Sequence, residues 1–136
     1  MIPSGKAGAG SFCWLDLAAT DASGARNFYG RLLGWSSVAQ QALGGSFSCE
    51  RLSGVDVASI YQLSGTHLAR GVPSHWTPYI QVDDLDRTVR RVISLGGQVI
   101  IEPVLMPDVA RIALILDSVG AHVGLWEPVD ADDMDG

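Results

Sequence analysis

"DASGARNFYGRLLGW", Asp21 to Trp35, reads as a capped amphipathic helix that runs into a glycine stop and an aromatic residue. Thr20 or Asp21 can serve as the N-cap. Ala22, Ala25, Phe28, Tyr29, Leu32 and Leu33 recur at helical spacing, and Gly34 is a natural C-cap because glycine adopts a left-handed backbone cheaply. The plan returns in "DLDRTVRRVISLGGQ", Asp84 to Gln98. There Asp83 or Asp84 caps, Leu85, Val89, Val92 and Leu95 mark the buried side, and Gly96-Gly97 ends the helix. An offset of 63 carries Asp21 onto Asp84 and Gly34 onto Gly97. Residue identities between the copies are few, so the repeat is one of pattern.

Strand signals surround each helix at matching places. "FCWLDLA" (Phe12 to Ala18) precedes the first helix, and "WSSVAQQ", "SFSCERL" and "VDVASIYQL" follow it, with Gly44-Gly45 and Ser53-Gly54 as turns. "SGTHLARGVPS", residues 64–74, is polar and broken by Gly71 and Pro73, so it reads as a linker. "HWTPYIQV" precedes the second helix, and "QVIIEPV", "ARIALIL" and "AHVGLWE" follow it. The same offset sets "VDVASI" opposite "SVGAHV". The spacing therefore predicts one α+β unit built from two tandem βαβββ modules, residues 11–63 and 75–128. A four-stranded half with one helix cannot bury both faces of its sheet. Two halves side by side predict a curved eight-stranded mixed sheet with helices on the outer face and a concave inner face.

Composition excludes several classes. With 47% apolar and 18% charged residues in 136, the chain is globular, and no apolar run reaches the length of a membrane span. "MIPSGKAGAG" lacks the basic-then-apolar order of a secretory signal and reads as a loose arm. Two cysteines, Cys13 and Cys49, without such a signal fit a reducing cytoplasm, and no CxxC or HxxxH spacing suggests zinc. The net charge is −6, and the end of the chain, residues 129–136, holds Asp130, Asp132, Asp133 and Asp135; without those four it would be −2. The acidity is that of a disordered tail, not of a ligand site. Basic patches interleaved with aromatics are absent, which argues against nucleic acid.

"CWLDLAATDASGARNFYGRLLGW", "HWTPYIQVDDLDRTVRRVISLGGQVIIEP" and "ARIALILDSVGAHVGLWEP" together resemble the vicinal oxygen chelate superfamily, which includes glyoxalase I, extradiol dioxygenases and the bleomycin resistance proteins. They look most like its mycobacterial-antigen branch. The likeness spans about Ser11 to Pro128 and implies the fold strongly and the reaction weakly, since this scaffold hosts isomerases, oxygenases, transferases and binders. Metal-dependent members carry His, Glu or Gln at four sheet positions. Carried over by register, these fall on Trp14, Tyr61 (or Ser59 if the fourth strand slips), Thr77 and Gly124, none a usual metal ligand. The resemblance also implies a homodimer, and an open sheet leaves edges that invite covering.

Strand alternation gathers Trp14, Asp16, Tyr61, Thr77, Tyr79, His122 and Trp126 on the concave face. The tryptophans can be core filler or a stacking platform. A carboxylate among aromatics needs a partner; Asp16 is either structurally paired, an anchor for a cationic or hydroxylated ligand, or a general base. Asp16 and His122 could form an acid–base couple if their strands adjoin. His67 and His75 read as surface residues, Arg87, Arg90 and Arg91 as a solvated helix face, and Cys13 as a buried inert thiol. Asp108 and Arg111 flank a turn and could reach across the mouth. The expected function is a small-molecule binder without metal or other cofactor, in which Trp14, Tyr79 and Trp126 stack on the ligand and Asp16 neutralises it; each cation–aromatic contact contributes about 0.5–2 kcal/mol. The alternative is a metal-independent isomerase, hydratase or hydroxylase-like enzyme that uses Asp16 or His122, and a metal-dependent lyase or dioxygenase ranks third.

Overall fold

The computed structural model of the chain describes residues 8–42, 45–106 and 109–129. Asp108, Gly44 and the acidic tail beyond Val129 lie outside them. Eight strands are present: β1 Phe12–Ala19, β2 Ser36–Ala42, β3 Gly45–Leu52, β4 Val55–Gln62, β5 His75–Gln81, β6 Gln98–Met106, β7 Ala110–Leu116 and β8 His122–Pro128. Helices α1 (Ala22–Leu33), α2 (Gly65–Ala69) and α3 (Leu85–Ser94) join them. The strands form one mixed sheet in the order β2-β3-β4-β1-β5-β8-β7-β6. The chain divides into two compact units, one of Leu15–Thr77, the other of Pro78 onward together with the residues up to Trp14.

In the first unit, Asp21 caps α1 through a hydrogen bond from the Gly24 amide, and Gly34 closes it in the left-handed conformation, φ 80°. Leu17, Ala19 and Ile60 of the sheet pack with Ala22, and Ala25 and Tyr29 of α1 lean against them. The helix buries less than its periodicity suggests: Phe28, Leu32 and Leu33 are exposed. The stretch between the modules is not plain loop. Ser64 accepts from the His67 amide and starts the one-turn helix α2. Tyr29 stacks on Trp35 (5.0 Å, 21°), and Trp76 meets Tyr29 edge-on (5.6 Å) and donates from Nε1 to its hydroxyl at 3.1 Å. That clasp ties the start of β5 to α1.

In the second unit, Asp84 caps α3 through the Arg87 amide. Leu85 and Val89 pack on Ala113, Ile115 and Leu125, with Val92 and Val99 beside them. Leu95 is not on the buried side; it is the C-cap residue and 65% exposed. Arg87, Arg90 and Arg91 are exposed, as expected.

The ladders refine the repeat. In the parallel pairs, Asp16 stands beside Ser59 and Tyr79 beside Gly124. Asp16 and Tyr79 are 63 residues apart, whereas Ser59 and Gly124 are 65 apart. The last strand of each copy therefore corresponds at 65, not 63, and Gly124 is the counterpart of Ser59, not of Tyr61. Side chains bear this out. Gln62 Oε1 accepts from the first amide of α1, Ala22, at 2.9 Å, and Glu127 Oε1 accepts from the first amide of α3, Leu85, at 2.9 Å. Each copy uses the end of its last strand to satisfy the start of its helix.

Candidate functional site

Asp16 sits in the middle of β1, on the sheet face opposite α1. Leu17 and Ala19 turn towards the helix, so alternation turns Asp16 away from it. Its ladder neighbour Ser59 shares that face, is buried, and donates its hydroxyl to Asp16 Oδ1 at 2.7 Å. Burial raises the Asp16 carboxyl to about 6; the Ser59 hydrogen bond and the field of His75 pull it back towards its ordinary value. Tyr61, one pleat further along β4, is pushed up to about 12 by burial and by the Asp16 charge, so its phenol stays neutral at physiological pH. The partner of Asp16 is thus a serine; His122 pairs with Leu116 across β7–β8 and is exposed.

His75 is exposed, in line with its reading as a surface residue, yet its field acts on Asp16. It opens β5 in the same unit, two residues before buried Thr77, and alternation puts both on one face. Its Nδ1 contacts the Pro73 carbonyl at 2.9 Å, where only a protonated Nδ1 makes a hydrogen bond; that leaves Nε2 as the free acceptor of the neutral ring. The Tyr29–Trp35–Trp76 clasp and the hydrogen bond from the Thr20 amide to Ser74 Oγ (3.0 Å) hold this stretch in place. The field at Asp16 is the signal that marks His75; a residue preceding a strand in sequence carries no such signal. His67 is exposed and spends Nδ1 on Ser64.

In the second unit, Trp14, Tyr79 and Trp126 are buried against one another, with Trp14–Trp126 centroids 6.1 Å apart and Tyr79–Trp126 5.7 Å apart. Gly124 lies beneath Tyr79, and a Cβ built on it would overlap the ring. Arg111 does not reach towards a mouth. It binds Asp86 of α3 through two bonds of 3.0 Å and Glu127 at 3.3 Å, on the helix side of the sheet. Cys13 and Cys49 are free; burial pushes Cys13 up to about 11 and, with Asp56, Cys49 up to about 12, so both remain thiols.

The family model for the Glyoxalase/Bleomycin resistance protein/Dioxygenase superfamily matches residues 11–125. Among curated relatives, the mycobacterial protein named "Putative glyoxylase CFP32" of Mycobacterium tuberculosis is 39% identical over 116 residues, covering 84% of this chain and 44% of that protein. The anthracycline biosynthesis protein DnrV of Streptomyces peucetius is 29% identical over 128 residues, covering 86% of this chain and 46% of that protein. The chain thus spans less than half the length of these relatives. Among solved structures, methylmalonyl-CoA epimerase from Mycobacterium tuberculosis superposes with a TM-score of 0.63 at 20% identity over 92% of both chains. The Mn(II)-bound glyoxalase from Novosphingobium aromaticivorans superposes with a TM-score of 0.59 at 12% identity, over 88% of this chain and 39% of that one.

A divalent ion needs three or four converging N, O or S donors. The carried-over positions do not fit one. Trp14 is apolar, Thr77 and Ser59 offer neutral hydroxyls, Tyr61 remains a phenol, and the Tyr79 ring fills the space a side chain at Gly124 would need. Among the described residues, no group of three or more His, Cys, Asp or Glu is placed to hold an ion.

Proposed function

The chain belongs to the glyoxalase/bleomycin resistance protein/dioxygenase superfamily, and on that premise we propose that it binds a small organic molecule, without a metal, on the sheet face that carries Asp16. The observation behind this reading is the Asp16 carboxyl itself. It is held back from water and, among the described residues, accepts a 2.7 Å hydrogen bond from Ser59 and forms no ion pair. A half-buried carboxylate with so little compensation suits a ligand that brings an amine or a hydroxyl donor. The test is a panel of small amines, polyols and aromatic carbonyl compounds, followed by tryptophan fluorescence and calorimetry. Asp16→Ala should weaken the best ligand at least roughly tenfold, the worth of one charge-assisted hydrogen bond, with the fold intact by circular dichroism. Equal affinity in the variant removes Asp16 from the site.

A metal-independent enzyme is the second reading, favoured by the carboxyl standing at about 6. A base in that range is ionised at neutral pH yet retains the basicity to accept a proton. Chemical change in the bound ligand, lost in Asp16→Asn, separates this reading from simple binding. The free thiols fit a cytoplasmic setting.

We also infer a homodimer. Strands β2 and β6 end the sheet, and α1 leaves Phe28, Leu32 and Leu33 exposed. Curated relatives more than twice as long have room for a second such unit in one chain. Light scattering at tens of micromolar should return twice the chain mass; a value of 14.4 kDa defeats the proposal.

A further inference from the structure

Behind β3 of the first unit lies a set of polar side chains where hydrocarbon would serve. Glu50 is 0% exposed and Ser48 4%. Ser48 pairs with Ile60, and Ile60 packs with Ala22 of α1, so Ser48 and Glu50 both point to the helix side. Ser37, across from Glu50 on β2, donates to Glu50 Oε1 at 2.6 Å. Glu50 Oε2 and Ser48 Oγ are buried and have no hydrogen-bond partner among the described residues.

The second unit shows that the fold does not demand this. By the offset of 65, Ser48 corresponds to Ala113 and Glu50 to Ile115. Ser37, paired with Glu50, corresponds to Val99, paired with Ile115. Those three belong to the apolar core under α3. On the helices, Ala22 stands where Leu85 stands, and half-buried Arg26, which donates to Ser23 Oγ at 3.3 Å, stands where Val89 does. Alanine for leucine and serine for valine remove side-chain volume from the first unit, Arg26 in place of valine adds some, and Glu50 Oε2 and Ser48 Oγ on the same side of the sheet need hydrogen bonds. Leaving two such groups without hydrogen bonds is costly, and buried waters recur beside such groups.

We propose that the first unit encloses a specific water site between β3 and α1, with the bound water bridging Glu50 Oε2 and Ser48 Oγ. Water suits the pair, since it donates to the carboxyl and accepts from the hydroxyl at once. A high-resolution crystal structure should show an ordered water within hydrogen-bond distance of both atoms. Magnetic relaxation dispersion of water oxygen should count at least one long-lived internal water. The triple variant Ser37→Val, Ser48→Ala, Glu50→Ile, which copies the second unit, should fold and lose one such water. Ser48→Ala alone, the milder change if the triple variant does not fold, should shorten its residence roughly tenfold by removing one of its bonds. A crystal structure in which both atoms bond directly to protein groups, such as Arg26, or an unchanged water count and residence in the variants, overturns the proposal.

Discussion

Replacing Asp16 by asparagine should stabilise the protein at neutral pH and flatten its stability between pH 4 and 6. The carboxyl stands at about 6 in the folded chain against an ordinary 3.8. Between those values the folded state holds a proton that the unfolded state has released. Stability therefore falls as pH rises through the window, and above it the full penalty applies. The shift corresponds to about 3 kcal/mol at 1.36 kcal/mol per unit. Carboxylates such as Asp86, lowered by its hydrogen bonds from Arg111, and Asp117, lowered by the backbone amides of Ala121 and Val119, act in the opposite direction at lower pH. They are common to both proteins and cancel in the difference. Urea melts from pH 3.5 to 8 should show Asp16→Asn gaining on the wild type by about 2–3 kcal/mol across the window. A constant difference would mean that Asp16 titrates normally and that the binding reading has lost its main support.

If that cost is real, the carboxylate is kept against the interest of stability, as binding groups often are. The same logic explains why the site was only partly legible in the sequence. Local signals were read well: the caps Asp21, Asp84 and Gly34 depend on neighbours a few residues away, and strand alternation placed Asp16 and Tyr61 on one face. What failed depended on distant partners. The Asp16–Ser59 bond needs the parallel β1–β4 register, which a uniform offset of 63 misplaces by two residues at the last strand. Whether Asp16 and His122 could couple turns on which strands adjoin, and alternation says nothing of that. His75 is the surface residue its sequence suggests, but its field at Asp16 is not legible because its anchors, Pro73 and the Trp76–Tyr29 clasp, are tertiary. Glu50 was silent for a related reason: in "SFSCERL" the alternation of Ser48 and Glu50 reads as a face turned to water, whereas both are buried on the helix side of the sheet.

Gly124 is where steric argument bears on metal chemistry. It occupies the β8 position that metal-dependent relatives were expected to fill with a ligand, and the Tyr79 ring covers it. Its backbone does not require glycine, since its φ is not among the positive ones. Gly124→Ala should therefore destabilise through overlap alone, by about 1–3 kcal/mol, because Tyr79 is buried against Trp126 and has little freedom to move aside. Tyr79→Ala alone should cost about 3–5 kcal/mol, the usual loss for a large buried aromatic. In that background Gly124→Ala should reverse sign and stabilise by about 0.5–1 kcal/mol, since alanine is better ordered than glycine in a strand. The double-mutant cycle then gives a coupling of about 2 kcal/mol or more. Additive effects would show that the ring does not exclude a side chain, and a metal ligand at this position would again be sterically open. The companion measurement is Gly124→Glu titrated with manganese by calorimetry. With Tyr79 in place and an apolar ring at Trp14, one added carboxylate leaves the second unit short of the donors a divalent ion requires, so no stoichiometric binding is expected.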